Sequence, residues 1–478
     1  MKKTRVFSAL AGVALLAAAG SAHAAGTMDI NIYGASAEYN FWKQAGVEFL
    51  KAQVPAGLGC GTVSGFIPDA ATGAANGIIV GTSCTNTTVL GSNDSVNFRV
   101  SNKASYDGIF AVTSSTDSQK SNGTCALNAR PMANAAATDT LATLGCNVVT
   151  VGASDVPADA FTQHSSGLLH GPAGGGAILR SFSKIPTTGV AAIFQPVKVP
   201  FGFFVTNNIS VRTCGTGPST GDYCNADEDC GSYFTVPTDT TSPVLNYTCS
   251  AARPIAVSDN ITREMAVQLL SNTLPSHNWS DFAGFSPLTA VTCVRHAGSG
   301  SHATMDLALM NKGTWGGSWP AAQSANFYFN DSTGDLLSCM NTQLTAGKGA
   351  IGYADADTDL TKSGAIPAGN LVGPLKYNGN YPNSQNIKSG VYDLYADQTL
   401  YLAPTAVVAD AQGAKQSDAV ALLMGYLNDT TGSHLNTPGY KFHNYWAASS
   451  EMQVGRGSSP LNPYAYPARG QQNPNPGQ

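Results

Sequence analysis

Four times along this chain a short strand-like run leads into a turn of small residues, and in at least three of them a helix-like segment follows. That recurring unit confines the chain to an α/β architecture with mainly parallel sheets. The first unit is "MDINIYGASAEYNFWKQAGVEFLKAQ", where alternation gives a strand, Gly34-Ala35-Ser36 gives the turn, and Phe41, Ala45 and Phe49 recur at helical spacing. The second is "VNFRVSNKASYDGIFAV", and a third apolar run, "NVVTVGASDV", carries Asp155 at its end. The fourth, "VRHAGSGSHATMDLALM", runs from a strand through Gly298-Ser299-Gly300-Ser301 into a helix containing Met305 and Leu309. Residues 60–93 lie between the first two units. They are rich in Gly, Thr, Ser and Asn and hold two cysteines, which reads as a disulfide-bearing loop insertion.

The chain has 478 residues, long enough for two or three domains. Only 12% of them are charged, a composition that suits a loop-rich exported protein. Residues 1–24 start with Lys2, Lys3 and Arg5, continue with an apolar stretch too short to span a bilayer, and end in Ala22-His23-Ala24. This is the pattern of a cleavable signal peptide, with Ala25 as the expected mature N-terminus. Without its three basic residues the chain keeps 22 Lys+Arg against 30 Asp+Glu, a formal charge of −8. Nucleic-acid binding by overall field is thereby excluded, and any anion site must be built locally from aimed N–H groups and one or two cations. The ten cysteines, an even number in a chain marked for export, favour disulfides over metal or redox chemistry. Four of them crowd into residues 214–249, within what reads as an inserted segment. The last residues, ending "GQQNPNPGQ", are expected to be disordered.

The turns carry the chemistry. Glycines at 298 and 300 let the backbone approach a ligand, the hydroxyls of Ser299 and Ser301 can donate, and the helix that follows adds partial positive charge. Arg295 stands just before the turn as a fork-shaped cation for an oxyanion. An ordinary serine-capped helix would look the same in isolation. The opening loop offers N–H groups from Ala35 to Tyr39, with Glu38 awkwardly among them, and the second unit offers Ser105 and Lys103. Asp155 would be out of place beside a fully ionised anion. A protonated oxyanion would suit it, because a carboxylate accepts the hydrogen bond of a P–OH group; the alternative is a helix cap. No Walker A loop, HExxH helix or matched Ser/His/Asp set is present, so no catalytic residue and no metal or cofactor site is assigned. "DADTD" at 355–359 has the first acidic positions of a calcium loop but lacks its Gly and its final Glu.

Together, "GASDVP" and "RHAGSGS" resemble signatures of the periplasmic phosphate-binding proteins of ABC transporters and their secreted DING-type relatives. "INIYGASAEYNFWKQ", "IFQPVKVPFGFFVTNNI", "ITREMAVQLLSNTLPSHNWSDF" and "KGAIGYADAD" fall in the family's order along the chain. The resemblance implies a type II periplasmic-binding-protein fold, two α/β lobes with a ligand cleft between them, here with disulfide-bearing loop insertions. Lobe 1 would comprise residues 25–200 and 398–455, and lobe 2 residues 201–397 with a cysteine-rich insertion at about 212–256; residues 456–478 would form a tail. It also implies that Ala37, Glu38 and Tyr39, Ser105, Asp155, Arg295, Ser299, Gly300 and Ser301 bind the ligand, although Glu38 stands where the family has a small hydroxyl residue. On this reading the chain is a periplasmic or secreted non-enzyme, a monomer that captures inorganic phosphate or a related oxyanion for an ABC permease. Two other functions stay open: a secreted surface or matrix protein that binds through its insertions, and a phosphatase-like enzyme.

Overall fold

The computed structural model describes residues 26–70, 76–166, 179–182, 184–216, 219–231, 247–310, 318–360, 366–428 and 444–454. The expected signal peptide and the C-terminal tail lie outside them.

The first lobe is built on a sheet whose centre is parallel. Strand β1 (Gly26–Gly34) leads through a short 3-10 turn, Ser36–Glu38, into helix α1 (Tyr39–Lys51). Phe41, Trp42, Ala45, Phe49 and Leu50 face inward, the stripe that the spacing predicts. Gly46 is where the helix touches the sheet, since a Cβ there would stand 2.8 Å from Ile79 and Phe98. Strand β2 (Asn76–Thr82) and strand β3 (Asn93–Asn102) follow, then helix α2 (Ser105–Val112), strand β4 (Val151–Ser154) and strand β5 (Ala192–Phe194). Both β3 and β4 lie parallel to β1, one on each side of it. Glycine again sets an approach distance: a Cβ on Gly108 of α2 would stand 2.6 Å from the Ala153 carbonyl oxygen.

Strand β6 (Val197–Thr206) carries the chain across to a second sheet. That lobe contains helix α3 (Arg263–Leu270), strand β7 (Ala290–Arg295), helix α4 (Gly300–Ala308), strand β8 (Phe327–Asn330), helix α5 (Thr333–Thr345) and strand β9 (Gly349–Asp355). Thr262 caps α3 by accepting from the Met265 N–H, as the sequence suggests. Strand β7 lies parallel to both β8 and β9, and β9 runs antiparallel to β6. The chain returns through strand β10 (Tyr395–Asp397), antiparallel to the first residues of β6, into strand β11 (Thr399–Leu402), which joins the first sheet between β4 and β5. Helix α6 (Gln416–Asn428) then packs on β1. The result is two α/β lobes connected by adjacent crossing strands.

Two expectations need correction. Residues 60–93 are not only a loop insertion, because they contain β2, a mostly buried strand of seven residues that pairs antiparallel with β3. Its run "NGIIVGT" is a short apolar segment flanked by polar and glycine residues, easily read as part of a loop. The sheets are mixed: the first is parallel at its centre and antiparallel towards its edges, and the second is parallel across β8, β7 and β9 and antiparallel beyond β9, since β2, β5, β6 and β11 all pair antiparallel. All ten cysteines are oxidised, as Cys60–Cys84, Cys125–Cys146, Cys214–Cys230, Cys224–Cys249 and Cys293–Cys339. Two bridges fasten the segment at 212–256, and Cys125–Cys146 fastens a hairpin of residues 129–134 and 143–148. Asp355 and Asp357 are both buried. Trp446 Nε1 donates to Asp357, and burial first, then the charge of Asp357, pushes the Asp355 carboxyl well up, so both carboxyls are engaged inside the protein.

Candidate functional site

The lobes meet at the carboxyl ends of their parallel strands, where open α/β sheets present ligand-binding loops. Ser36 follows β1, Ser105 follows β3 and Asp155 follows β4; Arg295 ends β7, and Asp331 and Thr333 follow β8. The loops interlock. Ser105 Oγ accepts from the Gly300 N–H at 3.1 Å and from the Asp155 N–H at 3.3 Å, and donates to Asp155 Oδ2 at 3.3 Å. Arg295 Nη1 donates to Ser36 Oγ at 2.8 Å and to Thr333 Oγ1 at 3.0 Å, while Nη2 donates to the Asp331 carbonyl at 2.9 Å. Lys103 pairs with Asp331 at 3.3 Å, and the Tyr106 N–H donates to the Gly298 carbonyl at 3.3 Å. Each of these contacts between loops crosses from one lobe to the other, apart from those within the Ser105–Asp155 and Arg295–Thr333–Asp331 sets.

Glycine is required at this seam for a spatial reason. A Cβ on Gly300 would stand 2.6 Å from Asp155 Oδ2 and closer still to Ser105 Oγ. On Gly298 it would stand 2.8 Å from the Phe182 ring and closer to Tyr106. Both glycines let one lobe reach the other.

Arg295 and Asp155 are both buried, at 1% and 2% exposure. Burial lowers the Arg295 pKa from its usual value, opposed by the nearby Asp331, Tyr353 and Asp155. Burial raises the Asp155 carboxyl to about 7 against the pull of Arg295 and the Ser105 hydroxyl. Asp155 is not a helix cap, since its carboxylate faces Ser105, fifty residues away in sequence. Asp155 Oδ1 and Arg295 Nε are buried and have no hydrogen-bond partner, an acceptor and a donor left over in one site. Ser299 and Ser301 bond to each other at 2.7 Å, both buried, at the start of α4.

Glu38 is fully buried. Its Oε2 accepts from Trp42 Nε1 at 2.9 Å and from Gln398 Nε2 at 2.8 Å, and its Oε1 has no partner. Burial first, and then the charge of Asp155, push this carboxyl well above the ordinary range; the Trp42 and Gln398 donors offset part of that. Ala37 is buried beside it. Tyr39 stands apart, because its N–H closes the 3-10 turn on the Ser36 carbonyl and its ring packs edge-on against Phe66. Ser36, Thr333, Trp42 and Gln398 belong to the site although no sequence signal singled them out.

Behind Arg295 sits a buried imidazole. His302 Nδ1 bonds the Tyr353 hydroxyl at 3.2 Å, its ring lies 4.1 Å from that of Trp319, and burial together with Arg295 lowers its pKa to about 3. It is neutral at physiological pH and no serine hydroxyl bonds to it among the described residues, so the Ser299–Ser301 pair has no visible activating base. The disulfide sulfurs of Cys214, Cys224 and Cys230 lie near one another, and each is already covalently paired. No described helix is long and apolar enough to cross a membrane.

The fold and this seam together define a class: a two-lobed α/β protein with a closed, buried polar site between its lobes. No family model and no curated protein matches the chain. Among solved structures, it is similar to a Clostridium perfringens protein, assigned to the phosphate ABC transporter substrate-binding proteins and solved with bound phosphate, at 10% identity and a TM-score of 0.40; 84% of this chain and 94% of that one are covered. An ABC-type phosphate transport receptor from Vibrio cholerae gives 12% identity and 0.36 over 85% and 96%. PstS from Borrelia burgdorferi gives 16% and 0.27 over 53% and 72%. Likeness at this level assigns no residue and no ligand.

Proposed function

We propose that this chain is an exported solute-binding protein of the type II periplasmic-binding-protein kind, which captures inorganic phosphate or a similar tetrahedral oxyanion between its lobes and performs no bond chemistry. The observation that carries this reading is the convergence of both lobes on one buried donor and acceptor set. Arg295, with its unpartnered Nε–H, would supply the fixed cation, and the Ser299 and Ser301 hydroxyls would supply donors at the start of α4, while the Gly300 N–H holds Ser105 across the seam. Ser105, Ala37 and Glu38 would line the facing loops. Asp155 would accept the ligand's O–H, which a fully ionised competitor such as sulfate cannot offer.

Five disulfides in a chain with the pattern of a signal peptide support export to an oxidising compartment. Delivery to an ABC permease and a monomeric state belong to the same reading. Capture would proceed by closure, the ligand stabilising the conformation in which Ser36 meets Arg295 and Ser105 meets Gly300.

Calorimetric titration with phosphate, arsenate and sulfate at near-neutral pH tests this. Phosphate and arsenate are expected to bind and to raise the melting temperature, with sulfate at least a hundredfold weaker, roughly the 3 kcal/mol that an unpaired buried polar group costs. No heat and no thermal shift with any of the three rules the reading out. One observation favours a partner-binding role as a second function: Leu127, Leu141, Leu144 and Val148 leave an apolar surface exposed on the Cys125–Cys146 hairpin.

A further inference from the structure

We infer that Glu38 is a specificity-determining residue which makes the closed site take its oxyanion only together with a proton, so that the more protonated form of the ligand is selected. The inference rests on the oxyanion reading above.

The geometry sets up a surplus of acceptors. Glu38 Oε1, Asp155 Oδ1 and Gln398 Oε1 are all buried and unpartnered, while Arg295 Nε is the unpartnered donor near them. The two donors that fix Glu38 Oε2, Trp42 Nε1 and Gln398 Nε2, are neutral and supply no charge. Among the described residues no Lys, Arg or His forms an ion pair with Glu38. A buried acceptor needs a hydrogen. Here it must come from a proton on the carboxyl pair or from an O–H of the ligand.

The charged groups on the surrounding elements are otherwise engaged. Arg295 gives its Nη donors to Ser36, Thr333 and the Asp331 carbonyl. Asp331 is held by Lys103 and lies near His296, and Asp335 caps the start of α5 through Ser332. Asp397, next to Gln398, pairs with Lys198. Beneath the site, Tyr33 bonds Asp107, whose carboxylate is paired with Arg130. Asp69 acts on the Tyr39 hydroxyl. Asp155 is the charge that acts on Glu38, and both carboxyls are held above their ordinary range by burial. An anion bound beside them adds like charge and raises both further. Binding above neutral pH therefore draws protons from solvent, and affinity falls as pH rises.

Titration of the protein with inorganic phosphate from about pH 6 to about pH 9, in two buffers of different ionisation enthalpy, counts those protons. The wild type is expected to take up about one more proton than Glu38→Gln at the alkaline end, and its Kd to rise about tenfold more per pH unit. Glu38→Thr, which replaces the carboxyl by a small hydroxyl, is expected to flatten the profile in the same way and covers the case where the amide does not fold. Protonated-carboxyl bands in difference infrared spectra should appear on phosphate binding in the wild type and be weaker in both variants. Phosphate binding with an unchanged pH slope in both variants, or with no proton uptake in the wild type at about pH 8, overturns this inference and leaves the oxyanion reading standing. No phosphate binding at any pH overturns the oxyanion reading, and this inference with it.

Discussion

Gly300 and Arg295 show at the scale of single residues how little freedom the seam has. Any side chain at 300 meets Asp155 and Ser105 at once, and both belong to the other lobe. Gly300→Ala is therefore expected to weaken phosphate binding by about a hundredfold and to lower the melting temperature as well, because the closed seam is part of the folded protein. Titration alongside a thermal melt reads both effects; binding lost with an unchanged melting temperature would mean that the clash arises only on closure around the ligand. Arg295→Lys is expected to cost roughly 2 to 4 kcal/mol of stability and to abolish binding, since an ammonium cannot serve Ser36, Thr333 and the Asp331 carbonyl from one rigid fork. Denaturant melts and titration read this directly. Asp155, Arg295 and the Gly298–Ser301 turn were legible in the sequence because a charge or a glycine pair is conspicuous in a chain so poor in charge. Ser36, Thr333, Trp42 and Gln398 were not. Ser36 lies 259 residues from Arg295, and Gln398 lies 360 from Glu38, so what gives these common polar residues their role is a tertiary contact that local pattern does not encode.

Elements hold those residues in place, and one covalent link matters more than the others. Cys293 lies in β7 two residues before Arg295, and Cys339 lies in α5, the helix that begins at Thr333. The bridge thus ties the strand that carries the guanidinium to the helix whose first residues receive it. Closing a loop of 46 residues, it is worth about 4 kcal/mol on the chain-entropy account. Replacing both cysteines by alanine is expected to lower the melting temperature and to weaken phosphate binding together. Removing Cys214–Cys230, which closes only 16 residues inside the insertion, should lower stability less and leave binding unchanged. Equal losses of binding from both pairs would show that the Cys293–Cys339 bridge has no special tie to the site. Helix α1 and strands β1, β3, β4 and β9 follow from periodicity and small-residue turns. Strand β2 does not, because its apolar run is as short as a buried loop segment and only pairing with β3 tells the two apart.

For the whole molecule, closure of the two lobes is the functional event of the proposed reading, and the structure buries Asp155 and Glu38 where their charged forms are disfavoured. In the unfolded chain Asp155 releases its proton near the ordinary aspartate value of about 4, whereas in the folded protein it holds it to about 7. The folded state therefore binds more protons than the unfolded state between those values, and stability falls as pH rises through that window. Glu38 and Asp355 are raised as well and act in the same sense. Asp331 is lowered, so its contribution is lost only under more acid conditions. The ligand-free protein is accordingly expected to be most stable at about pH 4 to 5 and to lose roughly 3 to 5 kcal/mol through Asp155 by pH 8, where that shift has been spent in full. Denaturant melts across pH should show the decline, and Asp155→Asn, which removes the titrating group without changing its shape, should flatten it by about that amount. A flat profile in the wild type would mean that the lobes stand open without ligand and that Asp155 is hydrated until closure. Phosphate would then have to supply the free energy of burying the carboxyl, and the proton uptake assigned to binding would be correspondingly larger.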